Sequence, residues 1–285
     1  MRSISSASKT DRVRRYYDRH TASFLSYGQG GQHGCIHRAV WGEGVETHEQ
    51  AFHYVDNILA TTLTRHSMTN EGTHIIDLGC GIGASLCYLA NKFPIYGTGV
   101  TLSPVQQRIA STTIREAGLQ HRIRCIAGDY SDLTISLPKA HLVYAIESFV
   151  HSPAPEAFFE QCKRVLRLDG LLLICDDVLQ TATDPRATDF VSRYKQGWQV
   201  HSLFERRQLK QMAFDAGFEH CSTVDLTPHL KLKRPRDLGL SILSGLLAWF
   251  PMTCCLGHLR GGSALTKCLK QGWIRYEATL FKRIK

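Results

Sequence analysis

The chain has 285 residues, 43% hydrophobic and 21% charged, which suits one large α/β domain, or one domain with an elaborated lid. It carries no internal repeat and no low-complexity stretch, and its ten cysteines include no Cys-x-x-Cys pair, so neither a zinc ribbon nor a disulfide framework is expected. The net charge of +9 is local: between Leu226 and Lys285 stand 11 Lys or Arg against Asp237 and Glu277, while the rest of the chain is balanced. A basic patch of that kind points to an anionic substrate group, a membrane surface, nucleic acid or simply a solvated face.

In chain order, residues 1–15 show no apolar run after their charges, so no secretory leader is expected and the thiols read as reduced and cytosolic. Residues 9–25 predict an amphipathic helix, and the Gly-rich stretch 28–44 a loop. Residues 46–66 place Val55, Ile58, Leu59 and Leu63 at helical spacing. Then strands and helices alternate. Strands are expected at His74–Leu78, Ile95–Thr101, Ile123–Ala127, His141–Ile146 and Leu171–Asp176, with helices to Phe93, over Pro104–Ala117 and over Pro155–Leu166. Ser202 and Glu205 fit a capping box opening a helix to about Ala216, where Gly217 stops it. Phe218–Leu226 and Tyr276–Ile284 complete the strands.

That order predicts an α/β fold with a doubly wound, mainly parallel seven-stranded sheet. Three regions follow: a helical cap over residues 1–68, a Rossmann-like domain over 69–226 plus 274–285, and a lid inserted at 227–273. The insertion contains Leu238–Leu259, 22 residues without a charged side chain. Its glycines and Pro251 favour an apolar lid or a peripheral membrane contact over a membrane span.

Asp77, Gly79, Gly81 and Gly83 form a glycine-rich turn between the first strand and its helix, where open α/β sheets bind ligands. Asp followed by G-x-G-x-G resembles the first motif of class I S-adenosylmethionine methyltransferases. The resemblance implies S-adenosyl-L-methionine as cofactor, with the glycines along its methionine portion and Asp77 anchoring it. Most of that family carries an acid where Thr101 stands. The run from Thr101 to Gln106 (TLSPVQ) instead resembles the sterol, tocopherol and cyclopropane-synthase-like branch, so Thr101, Leu102 and Gln107 are assigned the ribose. By the same resemblance Asp129 accepts from the adenine and Tyr130 flanks it. No metal site is expected.

Glu147 and His151 follow the fourth strand, where a carboxylate or an imidazole can take a proton or stabilise positive charge. The branch resemblance directs Glu147, Ser148 and His151 at the acceptor and makes Tyr17 a lid residue. His37, Arg38 and Trp41 could hold an anion beside an apolar body. This stretch, with YYDRHTASFL before it, is similar to bacterial terpenoid C-methyltransferases. An alkene acceptor becomes a carbocation on methylation, and Trp41, Phe149, Phe158, Trp198 and Trp249 are candidate aromatic walls for it. Lys231, Lys233, Arg234 and Arg236 could face a diphosphate.

The expected activity is therefore methyl transfer to an apolar small molecule, foremost C-methylation of a prenyl or terpenoid alkene in specialised metabolism. O- or N-methylation of a natural product stands second. A nucleic-acid methyltransferase is remoter, since aromatic and basic residues do not interleave and no N-P-P-Y-type motif follows the fourth strand. A non-catalytic relative is disfavoured by the intact Asp77, Gly79, Gly81 and Asp129. A projecting N-terminal helix is compatible with a homo-oligomer.

Overall fold

The computed structural model describes residues 4–27, 36–181, 184–232 and 257–285. Seven strands form one sheet in the order β3-β2-β1-β4-β5-β7-β6. They are β1 His74–Leu78, β2 Tyr96–Thr101, β3 Ile123–Ala127, β4 Ala140–Ile146, β5 Leu166–Leu179, β6 Phe218–Asp225 and β7 Ile274–Arg283. β1 to β5 run parallel, and β7 is antiparallel to both β5 and β6. The doubly wound, mainly parallel sheet read from the sequence is thus the observed one.

The helices are α1 Ile4–Tyr27, α2 His48–Phe52, α3 Tyr54–Arg65, α4 Ala84–Lys92, α5 Pro104–Glu116, α6 Pro155–Val165, α7 Pro185–Gly197, α8 Arg206–Asp215 and α9 Gly257–Gln271. Strand alternation sorts the core. Ile75, Leu142, Tyr144, Leu171 and Leu173 face one layer with α3, α4, α5, α7 and α9. Ile76, Val143, Ala145, Leu172 and Ile174 face the other with α6 and α8. Connections change face between β1 and β4, and a crevice opens at their carboxyl ends.

Three local expectations are corrected and one helix is added. The single helix over 46–66 is two, divided at His53, with Thr47 capping α2. β5 starts five residues early, because Ala140 pairs with Leu166 before the register shifts to Leu142 opposite Leu171. The exposed Arg167, Leu168 and Asp169 in that shifted stretch hid it from an apolar pattern. α7 had no sequence expectation. The capping box of α8 is Glu205 with Gln208, whose side chain accepts from the Glu205 N–H at 3.0 Å. Ser202 instead donates its hydroxyl to Ser152 O at 2.5 Å, a buried tertiary bond.

Between β6 and β7, α9 packs on α7. Leu238–Leu259 lies outside the described residues except for its last three, as do Lys233, Arg234, Arg236 and Trp249. Among the described residues no helix is long and apolar enough to cross a membrane.

Candidate active site

The crevice is a cavity of about 1220 Å³ including its mouth, walled by α1, the loop from Ile36 to Arg38, the glycine turn and the ends of β1, β2, β4 and β5. The turn demands glycine. Gly79 and Gly81 have φ +100 and +53, left-handed values that L side chains avoid. A Cβ on Gly79 would stand 2.2 Å from Ser148 Cβ, whereas at Gly81 the nearest atom is Ile36 Cδ1 at 3.7 Å. Ser148 therefore clamps one side of the turn, donating its hydroxyl to Leu78 O, and Gly81 leaves the other side open. Gly83, φ +80, starts α4 behind the cavity wall. Asp77 lies at the end of β1, 4% exposed, and burial raises its carboxyl well above the ordinary value.

At β2, Thr101 donates to Gln106 Oε1 at 2.8 Å. Thr101, Leu102, Ser103 and Gln106 line the cavity. Gln107 does not: its amide donates to Cys125 O at 3.2 Å and to Ser111 Oγ at 3.0 Å. One position along a helix rotates a side chain by about 100°, and that turns Gln106 inward in its place. Tyr130 lines the wall and donates to Ser148 O at 2.8 Å. Asp129 stands outside it, with Oδ1 accepting from Ser131 N–H at 2.8 Å.

α1 lies across the opening. Val13, Tyr16 and Tyr17 line the cavity, and Ser103 donates to Asp18 Oδ1 at 2.5 Å, pinning the helix to the β2–α5 loop. Tyr17 OH is 2.8 Å from His151 Nε2, and His151 Nδ1 is 3.2 Å from Gln199 O. A carbonyl only accepts, so Nδ1 carries the hydrogen. Nε2 then presents a lone pair to the Tyr17 hydroxyl. Burial lowers the His151 pKa to about 4, which leaves the imidazole neutral at physiological pH. Burial likewise raises the Tyr17 phenol.

Glu147 follows β4 with φ +48, an uncommon backbone for a non-glycine residue, and its N–H donates to Cys175 O at 2.9 Å. Its Oε1 accepts from Arg38 N–H at 2.8 Å and from Tyr276 OH at 2.9 Å. Arg38 closes both arms of its guanidinium on Asp177, at 2.7 and 2.8 Å, and lies 4.5 Å from the centre of the Tyr276 ring. Burial opposes the Arg38 charge, but Asp177 and Glu147 overcome it and raise its pKa. The fork expected to hold a substrate anion is thus occupied within the protein. Beside it Asp176 lines the cavity, its carboxyl raised to about 8 first by burial and then by Asp177.

His37 lines the cavity with its Nδ1 3.3 Å from Arg38 O. Trp41 does not: it lies under Lys231, 2.9 Å from the ring centre, and its backbone N–H donates to His229 O. Phe149 and Phe158 pack together in the core beneath β4. Of the four aromatic candidates among the described residues only Trp198 reaches the cavity, and Tyr16, Tyr17, Tyr130 and Tyr194 add further rings. Sequence reasoning missed Asp18, Gln106, Asp176, Asp177, Tyr194 and Tyr276. Asp18 and Gln106 lay within the quoted runs without being assigned a role, and the Asp pair carried its own signal, two acids closing an apolar strand. Among the described residues no group of His, Cys, Asp or Glu could hold a metal ion.

Residues 31–231 match the family model described as mycolic acid cyclopropane synthetase. The chain belongs to that family. It is an S-adenosylmethionine-dependent methyltransferase of the O- or C-methyltransferase kind. An O-methyltransferase of Pyrenophora dematioidea is 27% identical over 232 residues, 81% of this chain and 84% of that one. The chloroplastic tocopherol O-methyltransferase of Arabidopsis thaliana is 36% identical over 100 residues, 35% of this chain and 29% of that one. The fold is shared with geranyl diphosphate C-methyltransferase from Streptomyces coelicolor A3(2), with TM-score 0.68 at 18% identity, over 96% of this chain and 97% of that one. The methyltransferase's cavity suits its cofactor: a buried, charge-starved carboxylate at Asp77 would welcome an amino group, and the turn leaves room at Gly81.

Proposed function

We propose that this methyltransferase methylates carbon in an uncharged, apolar acceptor of the prenyl or terpenoid kind. Asp77, Gly79 and Gly81 would hold the methionine portion of the cofactor, Thr101, Leu102 and Gln106 its ribose, and Tyr130 its base. When bound, S-adenosylmethionine supplies an electrophilic methyl group.

The observation that carries the reading is the hydrogen-bonded pair Tyr17–His151 on the cavity wall, with a neutral imidazole. An alkene that gains a methyl becomes a cation, and the C–H beside that cation is a strong acid. Tyr17 Oη can accept this proton while passing its own to His151 Nε2. The imidazolium then rests its Nδ1–H on Gln199 O. A base with pKa near 4 suffices for such a proton and is poorly matched to an alcohol, since proton transfer follows the difference in acidity. Glu147, fixed by Arg38 and Tyr276, gives the developing cation a carboxylate that needs no reorientation. Tyr16, Tyr194 and Trp198 add aromatic faces, each worth about 0.5–2 kcal/mol to a cation.

The same cluster argues against an anionic acceptor at this end. Arg38 is the sole Lys or Arg among the described lining residues, and Asp177 occupies it. O-methylation is the second reading, favoured by the name of the Pyrenophora relative and by any acceptor whose hydroxyl reaches Tyr17.

The test offers labelled S-adenosylmethionine with neutral prenylated acceptors and, separately, geranyl diphosphate. The expected product is a neutral acceptor with a new C–CH₃, located by NMR, and Tyr17→Phe should lower kcat about 10²-fold. Products methylated only on oxygen would transfer the case to the second reading.

A further inference from the structure

Two thiols meet beneath the cofactor turn, and neither has a role in the chemistry above. Cys80 is the middle residue of the turn, Cys125 lies on β3, and their Sγ atoms are 3.2 Å apart. Gly99 makes the contact possible. It sits opposite Cys125 in the β2–β3 register, and a Cβ there would come within 2.6 Å of Cys80 Sγ. The space a side chain would fill is where the sulfurs approach. Both thiols are buried and free, yet Cys80 also lines the cofactor cavity. Cys80 thus borders the site, and Cys125 stands behind it.

We propose that Cys80 and Cys125 form a redox modification site, at which a peroxide closes a disulfide and lowers cofactor affinity. The Cys80 thiolate attacks one oxygen of hydrogen peroxide. The O–O bond breaks, hydroxide leaves and takes a proton, and Cys80 carries a sulfenic acid. The Cys125 thiolate then attacks the Cys80 sulfur, the S–O bond breaks, and a second hydroxide leaves as water. Two thiols lose two electrons, and one peroxide becomes two waters. The Cys125 contact and then burial raise the Cys80 thiol above its ordinary value, so closure is slow at neutral pH and quickens as pH rises.

Closure matters because the bond is short. Sulfurs must approach to about 2.05 Å, a movement of about 1.2 Å from their present separation. The turn cannot absorb this freely, since Gly79 and Cys80 both donate backbone N–H to Val100 O, at 2.8 and 3.0 Å. Pulling Cys80 toward β3 displaces Gly79 and Gly81, and a misplacement near 1 Å can cost about 10²-fold in a positioned site. A cofactor seated on the turn would shield Cys80.

The experiment treats the reduced full-length protein with hydrogen peroxide, with and without saturating S-adenosylhomocysteine. Non-reducing peptide mapping reads the linkage, and calorimetry reads S-adenosylhomocysteine affinity. The expected result is a Cys80–Cys125 linked peptide, at least tenfold weaker binding, protection by S-adenosylhomocysteine and recovery with a phosphine reductant. Cys125→Ser and Cys125→Ala should each keep the untreated affinity and lose the response to peroxide. Linkage through Cys87, sulfinic acid without linkage, or a linked protein of unchanged affinity would each overturn the proposal.

Discussion

Arg38 is read most differently once its neighbours are known. As a residue in a glycine-rich loop it looked available to an anion. In the fold its donors go to Asp177, with Glu147 at 3.6 Å from Nε. The Asp177 side chain has no exposure and that of Glu147 has 14%, so both carboxylates depend on this one cation. Removing one partner of a buried pair leaves an uncompensated charge, worth about 3–5 kcal/mol. Arg38→Ala should therefore lower the unfolding free energy by about that amount in urea titration. Arg38→Lys should recover only part of it, because an ammonium cannot reproduce the two-armed contact. If Arg38→Ala is as stable as the parent protein, the pairing is not what holds these acids.

At the scale of elements, α7 and α9 meet at Trp198. It caps the carboxyl end of α7, lines the cavity, and meets α9 at two glycines. A Cβ on Gly261 would lie 2.5 Å from Trp198 Cδ1 and 2.9 Å from Gly197 Cα, the second being backbone that cannot turn aside. Gly261→Ala should thus destabilise by about 1–3 kcal/mol through overpacking. It should also raise the acceptor KM by moving Trp198, while S-adenosylhomocysteine affinity stays the same. An equal loss of cofactor affinity would show that Trp198 does not divide the cavity in this way. The elements themselves were legible where the alternation of strands and helices framed them: β1 and β3, five residues each, were read to the residue. α7 was not, because eight of its thirteen residues are charged, polar or glycine and only Ala187 and Tyr194 are buried.

At the scale of the molecule, two buried groups set opposing pH trends. His151 has a folded pKa near 4 against 6.5 unfolded. Between those values the unfolded chain binds more protons, so stability falls as pH drops from 6.5 to 4. Asp176 has a folded pKa near 8 against 3.8. There the folded chain binds more protons, so stability falls as pH rises from 3.8 to 8. Between pH 6.5 and 8 Asp176 acts and His151 does not, and Asp176 by itself should cost the folded protein about 1–2 kcal/mol across that window. Asp176→Asn should flatten this part of the curve in denaturant titrations at stepped pH. A parent and a variant that decline in parallel would remove Asp176 as the cause.

The cofactor was read from what the turn resembles, but the sequence by itself determined the layered sheet and the glycine turn. These follow from short-range rules: a two-residue alternation sorts side chains to two faces, and a G-x-G-x-G run after an apolar strand supplies left-handed backbone at 79 and 81. It also placed Glu147 and His151 at the right edge, because the carboxyl end of a strand is a position along the chain. Tertiary structure alone decided what those side chains do. Tyr17 reaches His151 across 134 positions and Arg38 reaches Asp177 across 139. A partner at that separation sets whether an imidazole is neutral or a guanidinium is free, and no local pattern encodes it.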